Sequence, residues 1–144
     1  MNINHTKELM NILKDTSDKK TLFEIIDKED SNFIDTTFAQ YYMSLTMNVF
    51  KDRAQIVKAS QIDRNYCYQI LNGTKNPNKD KVISLCLAAK LTLEDSQKCL
   101  FLSNNPSLYA KNRRDAILIY SIQNKLSVQE TNSILLDLKE TILE

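Results

Sequence analysis

Residues 63–73, DRNYCYQILNG, hold side chains whose types and spacing suit the recognition of nucleic-acid bases. At about 100° per residue, a helix over 64–72 separates an apolar arc from an opposite polar arc. The polar arc consists of Arg64, Asn65, Tyr68, Gln69 and Asn72. A guanidinium can bond two acceptors of guanine, and an Asn or Gln amide can both donate to and accept from adenine. Ordinary solvated helix faces carry Glu and Lys pairs, and this arc has no acid, so its composition favours base recognition.

Two short helices joined by a tight turn must position this arc. Asp52 and Gln55 have the spacing of a capping box and predict the start of the first helix. Residues 60–62 form the turn, and Asp63 is a suitable cap for the second helix. Gly73, the only glycine in the chain, stops that helix because it takes a left-handed conformation without steric cost. The segment therefore predicts a helix-turn-helix unit.

Basic residues surround this unit and are candidates for contacts with DNA phosphates. Residues 37–81 hold seven Lys and Arg against three Asp, a net charge of +4, whereas residues 1–36 have five Lys against eight acids, or −3. The candidate phosphate contacts from this segment are Lys51, Arg53, Lys58, Lys75 and Lys79. The amide groups at the start of both short helices are further candidates. For Arg113 and Arg114 we favour structural salt bridges over DNA contacts.

Composition predicts an all-α fold for the whole chain. One glycine and two prolines leave little material for hairpin turns, while Leu, Ile, Lys, Asn and Gln are plentiful. We expect an N-terminal helical extension over 1–36, a helix-turn-helix DNA-binding domain over 37–103, and a C-terminal helical hairpin over 104–144, with no internal repeat. Further helices are expected near 6–14, 20–27, 37–48 and 111–123, and from Ser127 to about Ile142. Two more should begin at Lys79 and Thr92, the first with Val82, Leu85, Cys86 and Ala89 on its apolar side.

The composition argues against an enzyme and against a metal or cofactor site. The single histidine, His5, lies near the N-terminus, and one glycine cannot form a phosphate-binding Gly-rich loop. The cysteines Cys67, Cys86 and Cys99 lack metal-ligand spacing, so we expect three free thiols in the core. We find neither a signal-peptide pattern nor an apolar run of membrane-spanning length, which predicts a cytoplasmic protein.

The segment AQIVKASQIDRNYCYQILNGTKNP resembles the phage-repressor-type (Xre/Cro-like) helix-turn-helix family in its apolar anchors, second helix and closing Asn-Gly loop. This resemblance covers about 37–103 and implies a sequence-specific transcriptional regulator, most simply a repressor, that reads the major groove of double-stranded DNA. Carried over by position, it implies base or nearby phosphate contacts from Arg64, Asn65, Tyr68 and Gln69, and phosphate contacts from Asn72 and Lys75. Gln61 stands where the family usually has a left-handed glycine, which costs on the order of 1 kcal/mol.

Binding as a two-fold dimer to a palindromic site is expected for such a motif. The apolar residues of the terminal helices make them the natural surface for a homodimer. The alternative is a repressor-like fold that binds another protein, favoured by the near-neutral total charge of +1 and the acidic N-terminal third.

Overall fold

The computed structural model describes residues 3–30 and 35–144, and helices are the only regular secondary structure in these ranges. The all-α prediction is therefore confirmed. The helices are α1 (Ile3–Asp15), α2 (Lys19–Lys28), α3 (Phe38–Thr46), α4 (Arg53–Ser60), α5 (Arg64–Leu71), α6 (Lys79–Ala88), α7 (Leu93–Leu102), α8 (Arg113–Gln123) and α9 (Val128–Asp137). They divide into two compact units, Met1–Asp35 and Thr36–Glu144.

The first unit contains α1 and α2, and no hydrophobic side chain among its described residues is buried. Asp18 caps α2 by accepting a 2.9 Å bond from the Thr21 amide. Hydrogen bonding from the Thr21 side chain, and to a lesser extent from its amide, lowers the pKa of the Asp18 carboxyl. His5 Nε2 lies 2.9 Å from the carboxylate of Glu29, the one buried residue among the described side chains of this unit. Large apolar side chains are exposed on both helices, namely Met10, Ile12, Leu22, Phe23 and Ile26.

The second unit is built around α6. All side chains from Val82 to Leu87 are buried, so this helix has no solvent face over that stretch. The helices α4, α7, α8 and α9 surround it. The prediction of one apolar side was too narrow, because Ile83 and Leu87 lie outside that side and are buried as well. A helix apolar on all sides must be enclosed by others.

The helix α3 closes the core next to α6 and α7. The Phe38 and Tyr42 rings stack with centroids 5.7 Å apart, and the buried Tyr42 hydroxyl donates a 2.8 Å bond to the Leu85 carbonyl. Tyr41 donates a 2.9 Å bond to Asp95 on α7. The cysteines Cys67, Cys86 and Cys99 are all free and buried, as predicted, and burial raises the pKa of the Cys67 thiol.

Most helices of the second unit end without glycine. Five non-glycine residues of the described chain have positive φ, and all follow helix ends: Gln61, Lys90, Asn104, Lys125 and Lys139. Side chains compensate part of the strain. The Lys90 ammonium donates to the Lys125 carbonyl at 2.8 Å, and the Lys125 ammonium donates back to the Lys90 carbonyl at 3.0 Å.

Two local predictions were wrong. Helix α9 ends at Asp137 and not near Ile142, because Lys139 turns left-handed (φ 60°) and the Glu140 amide closes the end on the Leu135 carbonyl at 2.8 Å. At α4, Asp52 does cap the helix, but the Gln55 side chain accepts from the Lys51 amide at 2.6 Å and not from that of Asp52. The capping box predicted at Ser127 and Glu130 is confirmed.

We predict that Lys139→Gly raises the free energy of unfolding by about 1 kcal/mol, because glycine removes the left-handed strain at an exposed position. Lys125→Gly is the matched control: it gives the same relief but removes the ammonium that donates to the Lys90 and Leu91 carbonyls. Its gain should therefore be smaller. Urea unfolding of both variants measures this, and equal gains would contradict the stabilising role of the Lys125 side chain.

Candidate nucleic-acid interface

Helices α4 and α5 are joined by a three-residue turn whose conformation is the one predicted. Gln61 adopts φ 62° and ψ 17°, the left-handed region. Its side-chain amide donates a 2.8 Å bond to the Lys58 carbonyl, which ties the strained residue to the end of α4. Asp63 then caps α5 by accepting from the Tyr66 amide at 3.1 Å. Buried Ile62 between these two residues anchors the turn in the core.

Helix α5 presents one side to the core and the other to solvent. Cys67, Ile70 and Leu71 are buried, and the Cys67 sulfur lies 3.9 Å from the Ser60 hydroxyl of α4. On the outer side Arg64, Asn65 and Gln69 are exposed and Tyr68 is half-buried. We call these four residues the α5 face. It contains a cation, two amides and a phenol, and no carboxylate.

One contact joins two residues of the α5 face. The Arg64 guanidinium carbon lies 5.7 Å from the centroid of the Tyr68 ring, one helical turn away. A guanidinium at this distance is attracted to the ring. The contact favours Arg64 conformations in which the guanidinium lies near the Tyr68 ring.

The end of α5 is fixed by the single glycine. Gly73 adopts φ 86°, its amide donates to the Ile70 carbonyl at 3.1 Å, and the Thr74 amide donates to the Gln69 carbonyl at 2.9 Å. The Asn72 side-chain oxygen accepts from both the amide and the hydroxyl of Thr74. A phosphate accepts hydrogen bonds, so the NH₂ group is the part of Asn72 that could contact one.

Most of the predicted phosphate contacts are exposed, and Lys79 is the exception. Arg53, Lys58 and Lys75 are exposed. Arg53 and Asn72 line one open groove of about 490 Å³ between the start of α3 and the end of α5. An adjoining groove of about 320 Å³ includes Lys75, and the two share Thr37, Ala39 and Gly73.

Lys79 differs from these residues because its charge is satisfied within the protein. Its ammonium lies 2.8 Å from the carboxylate of buried Asp115. Arg114 likewise pairs with Asp80, with both oxygens accepting at 2.9 and 3.0 Å, and it also donates to the Thr141 and Ile142 carbonyls. The structural role favoured for Arg114 is confirmed, with Asp80 as its partner.

The starts of α4 and α5 are less suited to anions than the sequence indicated. Asp52 and Asp63 each place a carboxylate there, which accepts the amide of the third helical residue. A phosphate at either end would meet that negative charge. Sequence reasoning also missed Gln40, which lines the groove beside Arg53. The Thr37–Gln40 spacing, a capping box that the structure forms, was the available signal.

Elsewhere in the described ranges, no group of three His, Cys, Asp or Glu side chains is placed to hold a metal ion. Among those same residues, no helix combines the length and apolar character needed to cross a bilayer. Comparison with protein-family models, curated proteins and solved structures gives no match to this chain.

Proposed function

We propose that this chain is a sequence-specific double-stranded DNA-binding regulator of transcription, most simply a repressor of the phage-repressor-type helix-turn-helix class, and not an enzyme. In this proposal α5 enters the major groove and the α5 face contacts base edges. The observation that carries it is an exposed face with no acid, made of Arg64, Asn65, Tyr68 and Gln69, on a helix whose opposite side is buried. No cofactor is required.

Phosphate contacts would hold α5 in the major groove of the DNA. Arg53 and Asn72 line one groove of the protein surface and Lys75 lines the adjoining one, so three of the proposed phosphate contacts are close to the end of α5. Lys58 lies on the exposed side of α4. Lys79 is less suited, because contacting a phosphate would leave buried Asp115 without its cation.

The test of base recognition is selection from a randomised duplex pool at near-physiological salt. We expect the wild type to enrich a motif and Arg64→Ala/Gln69→Ala to lose it, since each bidentate base contact contributes about 1 to 3 kcal/mol of discrimination. Gln129→Ala, which removes an exposed glutamine from α9, is the matched control and should select the wild-type motif. A wild type that folds and enriches nothing would refute the proposal.

The test of phosphate contact is the salt dependence of binding. We expect Lys75→Ala to weaken binding to all sequences alike and to reduce the slope of log K against log salt by about 1. Lys111→Ala, which removes an exposed lysine from the link before α8, should leave the slope unchanged. Loss of affinity for the selected motif alone would assign Lys75 to base recognition.

We further propose that the regulator acts as a homodimer through α1 and α2. No hydrophobic side chain among the described residues of this unit is buried, and five large apolar side chains are exposed on its helices. Phe23→Ser, at a side chain 62% exposed, should lower the sedimentation mass at micromolar concentration without changing helicity. Phe101→Ser, 65% exposed on α7, is the control. A wild type that stays a strict monomer with and without DNA would exclude this interface.

The second candidate function is a protein-interaction module, and the same exposed residues of α1 and α2 favour it. An apolar partner surface predicts binding that changes little with salt, whereas binding through phosphates weakens steeply. Phe23→Ser would then abolish association with the partner and leave any DNA affinity intact.

A further inference from the structure

The pairs α6–α7 and α8–α9 share a common pattern at an offset of 35 positions, the separation of Lys90 and Lys125. Both second helices have ten residues. The residues identical at this offset are Asp80 and Asp115, Lys90 and Lys125, Leu91 and Leu126, Leu100 and Leu135, and Leu108 and Leu143. We name 79–109 the first copy and 114–144 the second copy. The expectation of no internal repeat was wrong.

Backbone geometry repeats at the same offset. Lys90 and Lys125 both have φ 55°, and Asn104 and Lys139 both have φ 60°. The Asn105 amide closes α7 on Leu100 at 2.9 Å as the Glu140 amide closes α9 on Leu135 at 2.8 Å. Each copy thus has the same helix, left-handed turn, helix and left-handed stop.

The segments that follow the second helices also correspond. The Leu108 amide donates to the Gln97 side chain at 2.8 Å, and the Leu143 amide donates to the Asn132 side chain at 2.8 Å. Both leucines are buried, at 6% and 7% exposure. In both copies, therefore, the chain folds back along its second helix and inserts a leucine in the core.

The contacts between the copies are reciprocal. Lys79 pairs with Asp115 at 2.8 Å, and Arg114, which corresponds to Lys79, pairs with Asp80 at 2.9 Å. The Tyr109 amide donates to Asp115 at 3.0 Å, and the corresponding Glu144 amide donates to Asp80 at 3.2 Å. At the other end, the ammonium groups of Lys90 and Lys125 exchange bonds with each other's carbonyls.

If the two copies are exchanged, each of these contacts is therefore replaced by its counterpart in the same set. This is the pattern of an isologous two-fold interface, in which residue i contacts j and j contacts i. Packing of two unrelated helix pairs has no reason to produce it. Since corresponding ends of α6 and α8 meet, the two helices run parallel beside a pseudo-two-fold axis.

We propose that the second copy is a built-in partner of the first, and that the surface it covers can pair instead with the first copy of another chain. Each copy carries a basic and an acidic side chain at the same two positions, Lys79 and Asp80 in the first copy and Arg114 and Asp115 in the second. Two first copies would set Lys79 of each chain against Asp80 of the other. The second copy thus blocks homotypic pairing while it is docked.

A thiol at position 90 reports on this pairing, because the ammonium groups of Lys90 and Lys125 each reach the other residue's carbonyl. In the otherwise unchanged chain, Lys90→Cys/Lys125→Cys should be joined within one chain by a short bis-maleimide. Lys90→Cys alone should give only a trace of covalent dimer, which serves as the reference. The three native cysteines are buried and do not compete.

The decisive variant combines Lys90→Cys with Arg114→Asp and Asp115→Arg, which places like charges opposite Asp80 and Lys79. A gentler one combines Lys90→Cys with Arg114→Gln and Asp115→Asn, which removes the charges at nearly constant shape. In both, pairing of two first copies keeps ion pairs that internal pairing has lost. We expect about tenfold more covalent dimer than with Lys90→Cys alone, rising with protein concentration.

Far-UV circular dichroism identifies variants that remain folded. If the charge-exchanged variant unfolds, the neutral variant decides. Absence of a covalent dimer from the folded variants at the highest concentration would overturn the proposal, as would failure of the double-thiol chain to crosslink internally. Adding Phe23→Ser to the folded variants removes dimerisation through α1 and α2, so covalent dimer that persists comes from pairing of first copies.

Discussion

The burial of α6 on every side is the constraint on which the rest of the second unit depends. No side chain from Val82 to Leu87 reaches solvent, so four helices must surround this one. Backbone amides of the turn after α6 donate to its last carbonyls, and the Lys125 ammonium donates to the Lys90 and Leu91 carbonyls of that same turn. Lys79 and Asp80 at its start pair with the start of α8. The C-terminal hairpin is thus fixed at both ends of the central helix.

Local chemistry made much of the fold predictable. The caps at Asp52, Asp63, Thr92 and Ser127 depend on residues three positions apart, so they could be read directly from the chain. The course of α6 and the end of α9 depend on distant partners. One apolar side was assigned to α6 because periodicity cannot show that a second layer covers the other side. The repeat was missed because few residues are identical and its reciprocal contacts join positions far apart in sequence.

The same distinction applies to the candidate interface. Arg64, Asn65 and Gln69 could be assigned to the outer side because helix periodicity places them opposite Cys67 and Ile70. For a lysine, helix periodicity does not show whether the ammonium group is free or paired with a carboxylate. Lys75 and Lys79 are equivalent in the sequence, yet one is exposed and the other pairs with a carboxylate 36 positions away. Whether a lysine is available to a phosphate is decided by tertiary contacts, which the sequence does not display.

The position of α5 depends on the first copy through the loop that joins them. The Asn76 side chain donates to the Ser103 carbonyl at 2.8 Å, and the Asn105 side chain donates to the Pro77 carbonyl at 3.0 Å. Both partners lie at the left-handed end of α7, beside Asn104. The loop that carries Lys75 is therefore held by the end of α7, and α7 is held by its packing on α6. Helix α4, which precedes α5, also packs on α6. The segments before and after the proposed DNA-reading helix are therefore both supported by the same buried helix. The second copy packs on α6 through α8 and α9, so it contacts the same helix that supports α4 and α7.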